Sequence, residues 1–311
     1  MTALAEERRP TAAPQSGAMR VGVIDAGANT LRLLVVRAKR GEVTTLAEER
    51  VRLGLGEEIE AFGHVSDRKL RELAVAAAAQ AERARQLRCD RLEVLVTSPG
   101  RQSDDPEAIV ETLERATDAD VRLLSGEQEA VLGYLGAVET CSKLPKSVAV
   151  CDVGGGSTQV VVGTPDGGVA WARSFDIGSL RLTRRTLGGD PPARSSVRDA
   201  RKEAVRGLNW LTPPAAKAAL AVGGSARAVA KIVGTELGPD ELERAIALLT
   251  SRRRTDLSSR FRIAPQRMET LLAGTIILAE AQGRLAVPFR LGTGGIREGA
   301  IRELLAERIA A

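Results

Sequence analysis

The sequence predicts a duplicated α/β fold in which two lobes surround a central cleft. Each half of the chain opens with an apolar run, an aspartate and a glycine-containing turn, written "DAGANT" in the first half and "DVGGGST" in the second. In both halves a second and a third strand follow this turn, and helices and further strands come after them. A ligand site would then lie between the halves, because ligands often bind at domain interfaces.

The first half justifies this prediction element by element. Its strands are predicted at residues 20–25, 31–38, 42–53, 92–97 and 121–125. The glycine-rich stretch "GLGEEIEAFG" predicts a turn, and residues 67–88 predict a long helix with Ser66 or Asp67 as its N-cap. Two shorter helices are expected, one in "DPEAIVETLERAT" with Pro106 in its first turn and one at 127–138.

The second half repeats the order. A strand and glycine loop are predicted at 147–158, and further strands at 159–165, 168–176, 219–224 and 288–292. Helices are predicted at 179–187, 194–212, 225–233, most of 238–282 and 296–309. We expect a disordered tail at 1–18, a first lobe at 19–125 completed by a helix at 296–311, and a second lobe at 126–295.

Composition excludes several classes of protein. The hydrophobic share of 43% and the charged share of 27% are typical of globular proteins. No apolar run approaches the roughly 20 residues that span a bilayer, and the first 18 residues lack the apolar core of a secretory signal. We therefore expect a cytoplasmic protein without a membrane partner.

The reactive side chains narrow the chemistry further. A single histidine, His64, and three cysteines without metal-type spacing argue against zinc and histidine-based catalysis. Aromatic residues make up only 2% of the chain, so nucleic acid has no stacking surface. The net charge of +5 and the arginine clusters at 252–254 and 260–267 would suit a polyanion without bases.

The two glycine turns predict phosphate binding. Their backbone N–H groups can converge on an anion, and glycine lets a ligand approach the backbone closely. The residues expected to bind phosphate are Gly27, Asn29, Thr30, Gly154, Gly155, Gly156, Ser157 and Thr158. A third glycine pair at a strand-to-helix junction adds Gly223, Gly224 and Ser225. Asp25 and Asp152 would repel phosphate directly, so we expect them to hold Mg²⁺ between carboxylate and substrate.

These motifs together resemble those of the actin-like (ribonuclease H-like) ATPase and sugar kinase superfamily. Within it the chain is similar to the exopolyphosphatase/guanosine pentaphosphate phosphohydrolase (Ppx/GppA) family, in its short two-domain form. The stretches that carry the resemblance are "RLGLGE", "TSPGRQS", "LLSGEQEAVLGYLGAV", "DIGSLRLT" and "GGIREGAI". The resemblance implies a homodimer that removes the terminal phosphate from inorganic polyphosphate or from guanosine pentaphosphate.

The resemblance also implies roles for two side chains. Glu129 would be the base that activates the attacking water, with Glu127 as the alternative. Arg101 would contact the phosphate and neutralise charge that develops on its oxygens.

The chain departs from the family pattern at several positions. Gln159 stands where a glutamate is usual, and an amide can neither take a proton nor bind Mg²⁺ strongly. Ala28 replaces a residue with a hydroxyl group, Pro99 and Gly100 interrupt the stretch before the arginine, and Asp105 stands near a usual asparagine. Gln159 and Ala28 therefore leave a polyphosphate or alarmone binder with little or no activity as an alternative. A kinase or ATPase of the same superfamily is a further alternative, which "SGEQEA" and "GGIREG" fit less well.

Overall fold

The computed structural model describes residues 18–166 and 168–310. The tail predicted at 1–18 thus lies, except for Ala18, outside the described residues. The first half contains β1 (Met19–Ala26), β2 (Thr30–Lys39), β3 (Glu42–Arg52), α1 (Leu55–Phe62), α2 (Asp67–Gln86), β4 (Arg91–Val96), α3 (Ser98–Gln102), α4 (Pro106–Thr117), β5 (Asp120–Leu123) and α5 (Gly126–Glu139).

The second half is longer and richer in helices. It contains β6 (Val148–Val153), β7 (Thr158–Gly163), β8 (Val169–Phe175), α6 (Ser179–Thr186), α7 (Arg194–Gly207), β9 (Ala218–Val222), α8 (Gly223–Val233), β10 (Glu236–Leu237), α9 (Pro239–Ser251), α10 (Arg254–Phe261), α11 (Pro265–Leu285), β11 (Phe289–Leu291) and α12 (Ile296–Ala310). None of the described helices is long and apolar enough to cross a membrane.

The strands form two sheets with the same topology. The first has the order β3-β2-β1-β4-β5 and the second the order β10-β11-β9-β6-β7-β8. In each sheet three antiparallel strands come first along the chain, and parallel strands then extend the sheet from the other side of its first strand. The predicted duplicated α/β fold is confirmed. Among the described strands of the second sheet, only the short β10 has no counterpart in the first.

The sequence predicts neither α3 nor the short β10, and two further segments differ from its prediction. Within the stretch 54–63, where a turn is predicted, residues Leu55–Phe62 form helix α1. Gly54 and Gly63 flank the helix and adopt left-handed backbone conformations, with φ of 72° and 79°. Between them Leu55 and Ile59, one helical turn apart, are buried. Helix α7 ends at Gly207, five residues before the predicted end.

Helix α5 connects the cores of the two sheets. Its Leu132 packs with the first sheet and with Ile301 of α12, whereas Tyr134 packs against the second sheet. Helix α5 and the start of α12 approach closely. Glycine at position 136 permits this approach, since a Cβ atom there would collide with the carbonyl oxygen of Gly295. Helix α12 also packs on β1 and β2. The division between the lobes at residue 125 stays a prediction.

Candidate active site

The two predicted glycine loops lie against each other and share the same internal turn. Gly27 and Gly154 each donate their N–H to the carbonyl oxygen three residues later, in both cases at 3.0 Å. A Cβ atom at Gly155 would lie 2.6 Å from Asn29 Nδ2 and 3.3 Å from Ala28 Cβ, so glycine lets the two loops approach this closely without a shift of Asn29. The duplicated hairpins thus place both backbone turns at one point between the sheets.

Asp25 and Asp152 line one cavity, whose volume is about 410 Å³. Each lies near the end of the first strand of its sheet, in β1 and β6. Gly223 lines the same cavity with φ of 81°, and a Cβ atom there would collide with Asp152 Oδ1. Burial raises the pKa of both carboxyl groups, and the charge of Asp152 raises the pKa of Asp25 further. The structure therefore brings the predicted pair of carboxylates together.

These carboxylates fit a magnesium site. Oδ1 of Asp25 is buried and accepts no hydrogen bond from any described residue, which is unfavourable for a carboxylate unless a cation or water contacts it. Mg²⁺ in proteins is commonly held by one or two carboxylates together with water and substrate phosphate. Within 18–166 and 168–310, no three His, Cys, Asp or Glu side chains form a complete metal cage. Asp25 and Asp152 therefore suit an ion that phosphate and water also coordinate.

Glu129 is buried at the start of α5. Ser125 caps this helix in a reciprocal pair of hydrogen bonds with Gln128, which fixes the first turn. Glu129 is only 6% exposed, and its Oε2 accepts a hydrogen bond from Arg101 Nη2 at 2.6 Å. The pKa of Glu129 is raised to about 7, mainly by burial. Arg101 opposes this rise, and the nearby charges of Asp25 and Asp152 contribute to it.

The alternative base, Glu127, has a different environment. Its side chain is 70% exposed and pairs with Arg173 at 3.3 Å, on the outer side of the same helical turn. The sequence leaves the choice between the two glutamates open. Their burial favours Glu129 as a group that could act on a bound ligand.

Helix α3 places Arg101 beside Glu129. A Cβ atom at Gly100 would collide with Leu123 Cδ1 and would lie 2.8 Å from Val96 Cγ1, so glycine allows this short helix to pack directly on the sheet. Arg101 Nη1 then donates to the carbonyl oxygen of Leu124 at 2.9 Å. The irregular "SPGR" sequence is thus the reason that the guanidinium reaches α5.

The hydroxyl groups predicted to bind phosphate point largely into the protein. Thr158 Oγ1 donates to Ile177 O at 2.6 Å, and Ser225 Oγ donates to Val153 O at 3.2 Å. Because a hydroxyl has one proton, neither group in this structure has a donor left for phosphate. The backbone amides of the loops therefore carry the predicted phosphate contacts better than these two hydroxyl groups.

Gln159 lies directly opposite Asp152 in the β6–β7 register, and Arg32 occupies the equivalent position opposite the aspartate of the first hairpin. Gln159 is 5% exposed, and its Nε2 donates to Ser157 Oγ at 2.9 Å and to Ser174 Oγ at 3.0 Å. A glutamate at this position would place a second negative charge opposite Asp152, and like charges in that position are unfavourable. Because Gln159 is uncharged, it adds no second negative charge opposite Asp152.

Arginines for which the sequence predicted no individual role surround the carboxylates. Those that line the larger cavity are Arg32, Arg50, Arg227 and Arg297. Arg267, from the predicted cluster at 260–267, lies against Gly224, since a Cβ atom there would be 2.5 Å from its Nη2. The pKa of Arg267 is lowered to about 10, mainly by burial and also by the neighbouring arginines. Mutual repulsion of this kind would be relieved by a bound polyanion.

The sequence is similar to those of known phosphatases. Residues 34–308 match the sequence pattern of the Ppx/GppA phosphatase family. Exopolyphosphatase 1 of Mycobacterium tuberculosis is 32% identical over 180 residues, which cover 58% of this chain and 52% of the relative. Exopolyphosphatase 1 of Mycobacterium leprae is 28% identical over 283 residues, 86% of this chain and 83% of the relative. The chain thus spans about half the length of the first of these curated relatives.

Solved structures agree on the fold. The Ppx/GppA family member of Aquifex aeolicus superposes with a TM-score of 0.81 at 23% identity, covering 94% of this chain and 99% of the other. An exopolyphosphatase from Cytophaga hutchinsonii superposes with a TM-score of 0.84 at 18% identity, covering 93% and 98%. At these identities the structures establish the actin-like fold.

Proposed function

The chain belongs to the Ppx/GppA phosphatase family, and from this premise we propose that it is a magnesium-dependent hydrolase that releases the terminal phosphate of inorganic polyphosphate. The observation that carries the proposal is the buried carboxylate of Glu129, which Arg101 holds within electrostatic reach of Asp25 and Asp152. Relatives named exopolyphosphatases support the reaction class.

In the proposed reaction, Glu129 takes a proton from a water molecule as that water attacks the terminal phosphorus. The bond from phosphorus to the bridging oxygen breaks, and the chain leaves one phosphate shorter. A base with a pKa near neutral is suited to this step at the pH of the cell. Arg101 would neutralise charge on the phosphoryl oxygens, and the amides of the glycine loops would hold the phosphates. Mg²⁺, held by Asp25 and Asp152, would supply a positive charge between carboxylate and phosphate.

The cavity lining favours polyphosphate over guanosine pentaphosphate. Among the described residues that line the larger cavity, none is aromatic, so guanine would find no aromatic ring to stack on there. Four arginines, a residue type that binds phosphate groups well, line this cavity beside five carboxylates, so the proposed Mg²⁺ would be needed to balance the charge of a bound polyphosphate. Guanosine pentaphosphate is therefore proposed as the weaker substrate. Homodimerisation and a cytoplasmic location stay predictions.

A polyphosphate-binding protein with little turnover is the second candidate, and Gln159 is the observation that favours it. Its amide occupies the place opposite Asp152 where a carboxylate could have added a ligand for the metal ion. A binder would keep the arginine-rich cavity and the glycine loops but would release phosphate slowly or not at all.

Phosphate release from long-chain polyphosphate in the presence of Mg²⁺ tests the proposal. We expect release by the unchanged protein and loss of at least a hundredfold in kcat for Glu129→Gln, as is typical when a general base is removed. Glu127→Gln is the matched control, because this exposed glutamate lies on the same helical turn, and it should keep its activity. Binding of polyphosphate without any release would favour the second candidate.

A further inference from the structure

The carbonyl groups of the second glycine loop accept hydrogen bonds from outside the loop. The oxygen of Gly154 accepts from the N–H and from the hydroxyl group of Ser179, at 2.9 and 3.0 Å. The oxygen of Gly155 accepts from the N–H groups of Leu180 and Arg181, at 2.9 and 3.4 Å. These donors form the first turn of α6. The N–H groups at the start of a helix have no partners within it, and here the loop supplies their acceptors.

The next carbonyl group of the loop has its donor in the first half of the chain. Nε2 of Gln102, the last residue of α3, donates to the carbonyl oxygen of Gly156 at 3.0 Å and to Oδ1 of Asp176 at 3.2 Å. Because both partners are acceptors, the nitrogen of the amide must face them. Helix α3 also packs on this point of the loop, since a Cβ atom at Gly156 would lie 2.7 Å from Ser98 Oγ.

The N–H groups that follow these three carbonyl groups have no such partners. Within 18–166 and 168–310, no group accepts a hydrogen bond from the N–H of Gly155, Gly156 or Ser157. In a trans peptide, the carbonyl group of one residue and the N–H of the next point in opposite directions. The hydrogen bonds from α6 and from Gln102 therefore set the direction of three successive free N–H groups, which point away from these donors.

We propose that Gln102 is a positioning residue, which orients the peptide between Gly156 and Ser157 so that the N–H of Ser157 donates to a bound phosphate group. The inference rests on the proposed function, because it assumes that the amides of this loop bind polyphosphate. Gln102 directly follows Arg101, so one short helix holds both the carboxylate of Glu129 and the phosphate loop. Loss of the donor at Gln102 should therefore weaken phosphate binding, although Gln102 itself does not contact the ligand.

The test measures the dissociation constant of tripolyphosphate by calorimetry with Mg²⁺, in the Glu129→Gln background so that the ligand persists. Methionine has nearly the length of glutamine but cannot donate, and we expect Gln102→Met to weaken binding about fivefold, the usual effect of losing one hydrogen bond. Lysine can donate to the same oxygens, so Gln102→Lys should restore most of the affinity. If Gln102 only filled space, methionine would be tolerated and lysine would not. Gln86→Met, the same change at an exposed glutamine of α2, should alter nothing.

Asp176→Ala is the control for charge and for the second hydrogen bond of Gln102. It changes the net charge by the same amount as Gln102→Lys. Because the side chain of Asp176 is 80% exposed, we expect the affinity to change by no more than about twofold. Weakening as large as that of Gln102→Met would show that the bond to Gly156 is not the one that matters, and would overturn the inference. A gain as large as that of lysine over methionine would also overturn it, because charge alone would then explain the rescue.

The outcomes separate this inference from the proposed function. Unchanged tripolyphosphate affinity for Gln102→Met, in a protein that releases phosphate, would overturn the inference and leave the hydrolase standing. The expected pattern in a protein that binds polyphosphate but releases no phosphate would support the positioning role and refute the hydrolase. If the unchanged protein does not bind tripolyphosphate, both proposals are wrong. Thermal unfolding shows whether each variant is folded, and Gln102→Ala, which also removes the donor, serves if the methionine variant is not.

Discussion

Replacing Glu129 with glutamine should make the protein more stable at alkaline pH, although it should also abolish the proposed activity. Burial raises the pKa of Glu129 from 4.5 to about 7, so the folded state binds this proton more tightly than the unfolded state does. Below pH 4.5 both states are protonated, and the carboxyl group has no effect on pH dependence. Between pH 4.5 and about 7 the unfolded state loses this proton while the folded state keeps it, so stability falls across this interval and levels off above it.

The size of this loss follows from the interval between the two pKa values. The interval from 4.5 to about 7 corresponds to about 3 kcal/mol at pH 8. The amide of Glu129→Gln has nearly the same shape and can still accept the hydrogen bond from Arg101, but it never carries the charge. We therefore expect the variant to exceed the unchanged protein in stability by up to about 3 kcal/mol at pH 8 and by close to nothing at pH 4.5.

Urea or thermal unfolding across pH 4.5–8.5, in EDTA so that no divalent ion neutralises the site, measures this difference. Glu127→Gln is the control, because its exposed side chain should give no pH-dependent gain. A Glu129→Gln variant that is less stable than the unchanged protein at pH 8 would show that Arg101 outweighs burial. An equal gain at both pH values would show that the effect does not come from ionisation.

Three further predictions concern the rate, the metal site and the packing of the helices. The kcat/KM for phosphate release should decline as the pH falls through about 7, because the base must be deprotonated in the free protein, and a pH profile of kcat/KM measures this acid limb. Gln159→Glu should bind Mg²⁺ more tightly, because it places a second carboxylate opposite Asp152, and calorimetry measures the affinity. Without metal, the two like charges should make this variant less stable than the unchanged protein at pH 8, which urea unfolding measures. A tenfold or larger gain in turnover for this variant would show that glutamine limits catalysis, and unchanged Mg²⁺ affinity would refute the reasoning. Gly136→Ala should lower stability by about 3 kcal/mol, the upper end of the cost of overpacking, because its Cβ meets the backbone of Gly295; Gly283→Ala, with no described atom within 4 Å, should instead gain about 0.5–1 kcal/mol, and similar melting temperatures for the two would contradict this.

Local patterns predict the repeated hairpins and the start of α5 well. A strand that ends in aspartate and glycine is typically followed by a turn. Because this turn is duplicated, Asp25 and Asp152 lie at equivalent positions of their sheets. The register of the first hairpin predicts one further residue of the cavity. In a hairpin of this length Arg32 must lie opposite Asp25, so its place in the cavity follows from the sequence.

Other parts of the site depend on contacts between distant segments. Arg227 and Arg267 come from two helices, α8 and α11, and only the packing of those helices brings both toward Asp152. Glu127 and Glu129 are two residues apart on one helix, and periodicity alone does not say which of them is buried. The glycines at 54 and 63 indicate a turn by composition, yet the segment between them gains more from burying Leu55 and Ile59 as a helix.

The packing of α12 has a consequence for how the chain folds. Met19, Val21 and Val23 of β1 belong to the same apolar cluster as Ala300 and Ile301 of α12. During synthesis, the apolar face of the first sheet that packs on α12 therefore stays exposed to water until almost the whole second half has left the ribosome. A chaperone that binds apolar surfaces could bind this exposed face. A chain that ends before residue 296 should therefore aggregate and should not fold as an independent lobe.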